Sequence, residues 1–400
     1  MKPIVHHCLA CILALALSAP LIAAAQQGMS ADLHRQAQEI NELMQADKHA
    51  EAIRKLEPLR KRGNLNDYEK AVLAQLLGYA HANGGQYREA AAAFEEALSF
   101  GSLPAEVAGG ISIALAQTYM ETRDFDRART LIERILSAGH QAEPDFLAVA
   151  AYVYYELKDY ATAERHAQQA IAQAKEPQES WYQILLAIYR AQQQWQKAEA
   201  LLRNVVARYP DNFNYWQFLS YALYEQNRES ESLATLMLAY RLDLIEGDEL
   251  ERLVGMHANV GIPEKAARLL AEWLDDGSLE ANEERISLNG RLWLLARERS
   301  KAMEAIGRAA ELSKEGDSDL LLAKLHYEDE RWEDAVRHFQ AALSKGVKED
   351  TAQLHLLLGI SAYNVGENDL ARTALETASK HREYQKHTRY WLNRLSEPRG

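Results

Sequence analysis

The chain has 400 residues, of which 48% are hydrophobic and 26% are charged, so it can form a packed core and wholesale disorder is excluded. Its 45 Lys and Arg residues against 58 Asp and Glu residues give a formal net charge of −13, which disfavours nucleic acid and anionic lipid as partners. Only 9 prolines and 20 glycines interrupt long stretches rich in Ala, Leu, Glu, Gln and Arg. This composition predicts a nearly all-helical protein.

The first 25 residues have the pattern of a secretory signal peptide. Lys2 precedes an apolar run from Cys8 to Ala19, and Ala23-Ala24-Ala25 offers a cleavage site before Gln26. The run is too short to span a bilayer, and no later segment contains 18 uninterrupted apolar residues. We therefore expect an exported, soluble protein in the periplasm of a Gram-negative envelope.

Both cysteines, Cys8 and Cys11, lie inside this predicted signal peptide. The exported protein would then have no thiol, which excludes disulfides, thiolate metal sites and cysteine nucleophiles. A lipoprotein anchored at Cys11 is the alternative, but almost no apolar run precedes that cysteine.

A short cassette recurs along the rest of the chain: an aromatic residue stands three positions before a small residue. Examples are Phe125 before Ala128, Tyr160 before Ala163, and Trp195 before Ala198. Taking the small residue as a marker of each repeat gives ten markers spaced 33 to 38 residues apart. The markers are Ala52, Ala90, Ala128, Ala163, Ala198, Ser232, Ala266, Ala302, Ala335 and Ala371. This period is typical of a helix-turn-helix repeat of about 34 residues.

The marker positions have a physical explanation. Two antiparallel helices approach each other closely only where the side chain is small, and this favours alanine at the marker. Larger apolar residues four and seven positions later fall on the same helical face, as Leu202 and Val205 do after Ala198. On the preceding helix, Leu77-Gly78 is an example of the opposing surface, and Pro210 is placed to end a second helix.

On these residues the chain resembles the tetratricopeptide repeat (TPR) family. The resemblance implies an all-α, right-handed superhelical solenoid of about ten helix-turn-helix repeats that binds other proteins. Three consecutive repeats depart from the pattern. Ser232 replaces the marker alanine, Pro263 occupies the aromatic place before Ala266, and Arg299 occupies it before Ala302.

We divide the chain into a signal peptide (1–25), a solenoid (26–382), and a capping helix with its tail (383–400). In the cap, Tyr384, His387, Trp391 and Leu395 are predicted to share the apolar face that covers the last repeat. At the other end, Ser30 is predicted to cap the first helix.

Motifs for catalysis or metal binding are missing from the sequence. It contains no phosphate-binding glycine loop, no H-E-x-x-H, no G-x-S-x-G and no calcium loop. His381 and His387 are the nearest pair of histidines, but a spacing of six places them on different helix faces. We predict no catalytic residue, no metal and no cofactor, and a monomer or weak homo-oligomer.

The TPR resemblance also implies which side chains face the groove formed by the first helices of the repeats: the second, fifth, ninth, twelfth and thirteenth places. Tyrosine at such places offers a large, rigid and amphipathic contact area, although some of these rings could instead belong to the core. The predicted partner-binding residues are Tyr152, Tyr155, Gln183, Arg190, Gln217, Tyr221 and Tyr224, and Tyr79, Gln117 and Met120 occupy equivalent places.

A narrower resemblance involves the runs 214–219, 236–240 and 261–267. These are similar to exported TPR proteins that accompany TonB–ExbB–ExbD energy-transduction systems. The resemblance implies an accessory of TonB-dependent uptake with partners in the cell envelope. The alternatives are an assembly factor for outer-membrane proteins or exported polysaccharide, and an enzyme.

Overall fold

A computed structural model describes residues 28–137 and 142–396. The predicted signal peptide (1–25), with Cys8 and Cys11, lies outside the described residues. The chain divides into two compact units, residues 1–208 and 209–400, which we describe separately.

The described part of the chain contains 21 α-helices and no β-strand, which confirms the predicted all-α class. They succeed one another as ten pairs, each with a first and a second helix, followed by one more helix. In the first unit they are α1 (Ala31–Gln45), α2 (His49–Arg60), α3 (Asp67–Asn83), α4 (Tyr87–Ser99), α5 (Ala105–Glu121), α6 (Phe125–Ser137), α7 (Pro144–Glu156), α8 (Tyr160–Gln173), α9 (Glu179–Ala191) and α10 (Trp195–Arg208). In the second unit they are α11 (Phe213–Tyr224), α12 (Glu229–Arg241), α13 (Asp248–Asn259), α14 (Pro263–Asp275), α15 (Glu283–Leu295), α16 (Arg299–Leu312), α17 (Asp317–Glu328), α18 (Trp332–Lys345), α19 (Thr351–Val365), α20 (Asn368–Ser379) and α21 (Gln385–Ser396).

Every marker residue lies in the second helix of its pair and is buried. The nine marker alanines have no exposed surface, and Ser232 is 1% exposed. In some pairs the opposing first helix has a glycine that lies close to the second helix. A Cβ atom placed on Gly78 would lie 2.5 Å from the Phe94 ring, and one on Gly290 would lie 2.5 Å from Ile306 Cγ1. The predicted repeat register is therefore correct.

Ser232, the departure from the marker alanine, has a partner on the opposing helix. Its hydroxyl lies 2.8 Å from that of Ser220 in α11, and both side chains are buried. Ser220 lies in the first helix of the same pair, at the place where six of the other nine repeats have glycine or alanine. A buried hydroxyl costs free energy unless it is hydrogen-bonded, so two serines facing each other satisfy this position.

The other two departures also have local explanations. Pro263 is the first residue of α14. The backbone N–H at this position has no acceptor within the helix, so proline, which lacks the N–H, fits there without loss of a hydrogen bond. Arg299 begins α16 and donates to the carbonyl oxygen of Leu325 at 2.7 Å and to Asp329 at 3.0 Å. Where other repeats pack an aromatic ring, this repeat uses charged hydrogen bonds to the next pair.

The turn inside each pair uses one residue with positive φ, always five residues before the marker. Seven of the ten are not glycine, although the left-handed conformation costs such residues roughly 1–2 kcal/mol. Because of this turn, the backbone N–H of the next residue donates a hydrogen bond to a carbonyl at the end of the first helix. An example is the Asp124 N–H, which donates to the Tyr119 carbonyl at 2.8 Å. These turn residues are Asp47, Gly85, Arg123, Lys158, Gln193, Asn227, Gly261, Arg297, Glu330 and Gly366.

Helix α1 is preceded by Ser30, as predicted, but the Ser30 side chain makes no capping hydrogen bond. Its backbone N–H instead donates to Glu69 Oε1 at 3.0 Å. Glu69 is buried and also accepts from the Asn66 N–H, completing a capping box at the start of α3. Burial opposes the ionisation of Glu69, but the N–H donors outweigh it and hold the pKa of the carboxyl below its ordinary value.

The last helix, α21, covers the final pair as predicted. One residue of its buried face differs from the prediction. Tyr384, Trp391 and Leu395 pack against Leu356, Ile360, Leu375 and Ala378, together with Leu392. His387 is exposed, whereas Thr388 is fully buried. The prediction for His387 was wrong because α21 is rotated so that Thr388 faces the pair.

Candidate protein-binding surface

In the first unit, Tyr152 and Tyr155 occupy the ninth and twelfth places of their repeat, in α7. Tyr152 is only 8% exposed and Tyr155 is half-buried. Their ring centroids lie 6.4 Å apart, Phe125 lies 6.4 Å from Tyr152, and Tyr160 lies 5.9 Å from Tyr155. Tyr152 is therefore largely a packing residue, and Tyr155 offers more of its ring to solvent.

The charges around these two tyrosines keep both hydroxyls protonated. Burial raises the pKa of Tyr152, and the neighbouring Glu156 carboxylate raises it further. Burial also raises the pKa of Tyr155, followed by the effect of Glu156, while the Arg190 guanidinium acts in the opposite direction. Arg190 is thus close enough to Tyr155 to influence it, and its side chain is exposed. Gln183, on the same helix α9, is half-buried.

In the second unit, Gln217, Tyr221 and Tyr224 lie on one face of α11, at spacings of four and three residues. Tyr221 is 40% exposed and Tyr224 is 55% exposed. Gln217 is half-buried, and its Nε2 donates to Glu249 Oε1 in α13 at 3.2 Å. Two large rings therefore stand in solvent beside an amide that links one first helix to the next.

Local sequence fixes the direction of that face. The opposite side of α11 carries Tyr215, Leu219, Ala222 and Leu223, which are buried. At the start of the helix the Asn212 side chain accepts a hydrogen bond from the Asn214 N–H at 3.2 Å. With one face fixed in the core, residues 217, 221 and 224 must point away from it.

The neighbouring helix α13 extends this surface. The hydrogen bond from Gln217 connects α11 to Glu249, near the start of α13. Gly255 follows, at the ninth place of its own repeat; it is exposed, and a Cβ atom placed on it would meet nothing within 4 Å. A helix-interior glycine costs roughly 1 kcal/mol relative to alanine, and no contact within the described chain requires this one.

Acidic side chains border the two tyrosines. Glu225 directly follows Tyr224 and is exposed, as is Asp248 at the start of α13, and Glu249 is partly exposed. The surface made of Gln217, Tyr221, Tyr224, Glu225, Asp248, Glu249 and Gly255 is called the α11–α13 surface below. The last four were absent from the sequence prediction, although the same repeat places applied to the seventh pair point to Asp248 and Gly255.

A cavity of about 530 Å³ lies elsewhere, in the first unit between α4, α5 and α6. Its main polar groups already have partners: the Tyr119 hydroxyl donates to the Glu95 carboxylate, and Arg127 pairs with Asp124 at 3.3 Å.

No group of three or more His, Cys, Asp or Glu side chains among the described residues could hold a metal ion. None of the helices in residues 28–137 and 142–396 has the length and apolar character needed to cross a membrane.

The chain is built of consecutive helix pairs. Each pair has a small buried residue in its second helix and the same positive-φ turn between its two helices. These features define a helical-repeat protein of the kind that binds other proteins. Tetratricopeptide repeat models match residues 80–152 in one form and residues 38–105, 188–243 and 320–382 in another, together more than half of the chain. The chain therefore belongs to the tetratricopeptide repeat family.

Three solved structures with a similar fold are all distant from this chain in sequence. One from Parabacteroides merdae is 13% identical, with a TM-score of 0.43, and the match covers 74% of this chain and 99% of that one. A fragment from Cytophaga hutchinsonii is 14% identical, with a TM-score of 0.43 over 69% of this chain and 95% of that one. MamA from strain AMB-1 is 20% identical, with a TM-score of 0.37 over 45% of this chain and 96% of that one. A search of curated proteins gave no match.

Proposed function

We propose that the chain is a non-catalytic scaffold that binds a protein partner through the α11–α13 surface. The observation that carries the proposal is the exposure of Tyr221 and Tyr224, one helical turn apart on a helix whose other face is buried. Tyrosines are among the residues that most often anchor protein interfaces, because the ring offers a large contact area and the hydroxyl a hydrogen bond.

The surroundings indicate what kind of segment this surface would accept. Glu225 and Asp248 favour a partner with lysine or arginine side chains, because opposite charges speed and orient association. Glu249 already pairs with Arg252 at 3.4 Å. Gly255 leaves room for a polypeptide backbone to approach α13. An extended basic segment, with its apolar side chains on the two tyrosines, suits this arrangement.

A second contact surface in the first unit belongs to the same proposal. Tyr155 and Arg190 offer a half-buried ring and an exposed cation, and the Tyr152 ring packs beside that of Tyr155. Gln183 lies on the same helix as Arg190 and is half-buried. We expect truncation of Tyr155 to matter more than truncation of Tyr152, because most of the Tyr152 surface already contacts its own unit.

Residues 1–25 support export to the periplasm, and the runs 214–219, 236–240 and 261–267 support a role beside a TonB-dependent uptake system. We include both in the proposal. N-terminal sequencing should find Gln26, or a residue within one or two of it, at the start of the exported protein. Retention of Met1, or a lipid on Cys11, would contradict the location.

The binding site is tested by capture from intact envelopes with immobilised protein, followed by mass spectrometry. Tyr221→Ala combined with Tyr224→Ala should weaken partner capture by well over tenfold, since an interface anchor often contributes about 2 kcal/mol or more. The matched control is Leu242→Ala combined with Leu312→Ala, which removes two exposed apolar side chains at the ends of α12 and α16.

If the folded tyrosine variant captures the same partners as the wild type, the α11–α13 surface is not the binding site. If capture depends on the tyrosines but the partners include no TonB, ExbB or ExbD component and no TonB-dependent receptor, the site stands and the proposed role is wrong.

A further inference from the structure

The C-terminal helix carries an unusual charge for this acidic chain. Residues 380–396 contain five lysines and arginines and one acidic residue, Glu383, whereas the whole chain has a net charge of −13. All five basic side chains are exposed. They are Lys380, Arg382, Lys386, Arg389 and Arg394.

None of these five forms an ion pair with any residue that the structure describes. Elsewhere in the second unit, basic residues commonly do. Arg331 and Arg337 both contact Asp334, at 2.7 and 2.6 Å, and Lys345 contacts Asp319 at 2.7 Å. Among the described residues, Arg394 donates a side-chain hydrogen bond to the Tyr390 hydroxyl at 3.1 Å. The basic residues of the cap thus stabilise the fold little by ion pairing.

The apolar face of α21 is already occupied. Trp391, Leu392 and Leu395 pack on the last helix pair, and Thr388 is fully buried beneath the helix. What remains outside is the cationic side, with the Tyr390 ring 55% exposed and the Arg394 guanidinium 5.7 Å from its centroid. A helix of 12 residues presents this side over roughly 18 Å.

We propose that this cap surface, formed by the five basic residues and Tyr390, binds an acidic segment of a partner protein. Charge complementarity selects an anion, and Tyr390 adds contact area beside the charges. The inference does not rest on the function proposed for the α11–α13 surface, since the two surfaces share no residue and differ in the sign of their charge.

The dimensions favour a short polypeptide over a membrane or a nucleic acid. Surface charges act over about 8 Å at physiological salt, so a short acidic segment on α21 interacts mainly with the cap. A bilayer or a duplex extends well beyond the helix and would also meet the rest of an acidic protein. Helices that bind at a membrane surface insert an apolar face, and that face of α21 is packed on α19 and α20.

The test uses the full-length chain and a fluorescein-labelled oligoglutamate peptide, with binding followed by fluorescence anisotropy. We expect binding that weakens as salt rises. Lys386→Glu combined with Arg389→Glu should weaken it at least tenfold, equivalent to ~1.4 kcal/mol, because two cations are lost and two repelling charges are added. Arg88→Glu combined with Lys265→Glu changes the net charge equally at exposed sites on α4 and α14 and should leave binding within about twofold.

Further arms separate the alternatives. Circular dichroism checks that the reversal variant is folded, and if it is not, Lys386→Gln combined with Arg389→Gln replaces it with the same expected direction of change. Tyr221→Ala combined with Tyr224→Ala should not affect oligoglutamate binding, so failure of the α11–α13 proposal would be seen separately. Equal binding by wild type and cap variants overturns the inference. So does tighter binding of phosphatidylglycerol vesicles or a DNA duplex than of the peptide.

Discussion

Two glycines of the eighth helix pair should respond in opposite directions to substitution by alanine. Gly290 lies within α15, where an added Cβ atom would stand 2.5 Å from Ile306 Cγ1 and 3.2 Å from the Ile306 backbone nitrogen. Gly307 lies within α16 of the same pair, and an added Cβ atom there would meet nothing within 4 Å. Both are helix-interior positions, so each gains the same helix propensity from alanine.

The magnitudes follow from these distances. Replacing a helix-interior glycine by alanine contributes roughly 1 kcal/mol of stability, and Gly307→Ala should gain about that amount. Carbon atoms pack best at about 3.5–4.0 Å, so Gly290→Ala forces α15 and α16 apart or displaces the Ile306 side chain. Such overpacking costs roughly 1–3 kcal/mol. We therefore expect Gly290→Ala to be less stable than Gly307→Ala by about 1–3 kcal/mol.

Amide hydrogen exchange measured by mass spectrometry is the suitable assay, because stacked repeats need not unfold in a single step. Peptides from 283–312 should lose protection in Gly290→Ala and gain it in Gly307→Ala, while peptides from the first unit stay unchanged in both. Equal or greater protection in Gly290→Ala would mean that α15 and α16 do not approach each other as described.

Three further predictions concern the core. Ser220→Ala and Ser232→Ala should each destabilise the sixth pair by about 1 kcal/mol, because each leaves one buried hydroxyl without its partner. The double variant should lose less stability than the sum of the two single variants. Additive losses in urea denaturation would exclude a direct hydrogen bond. Burial lowers the pKa of His326 in the folded chain. As pH falls below about 6.5, the histidine of the unfolded chain is therefore protonated before that of the folded chain. The stability of the ninth pair should decrease between this pH and the lower pKa of the folded chain. His326→Leu should flatten this dependence in hydrogen exchange at several pH values, and an unchanged slope would rule out the assignment. Ala163→Leu and Ala198→Leu should each destabilise by ~1–3 kcal/mol through overpacking at fully buried markers, and unchanged denaturation midpoints in both would count against the repeat register.

Periodicity in the sequence was sufficient to predict the repeat architecture. A marker such as Ala198 recurs because every pair needs a small side chain where its two helices meet, and this requirement is local to each pair. The same period predicted that Gln217, Tyr221 and Tyr224 share one face of a first helix, since their spacing alone determines it. The structure adds that the two rings are exposed, while Tyr152 at an equivalent place is nearly covered by neighbouring aromatic side chains.

Features that depend on contacts between helices could be identified only from the tertiary structure. Ser232 looks like a defect in the repeat until Ser220 is found opposite it. The final helix has no following pair to repeat its pattern, so its rotation was not determined by any period, and Thr388 rather than His387 faces the core. The basic side of the cap is likewise visible in the sequence as charge, but whether its basic residues form ion pairs with other described residues depends on which helices pack beside it. Spacing along the chain determines which residues share a helix face, whereas packing between helices determines what each face contacts.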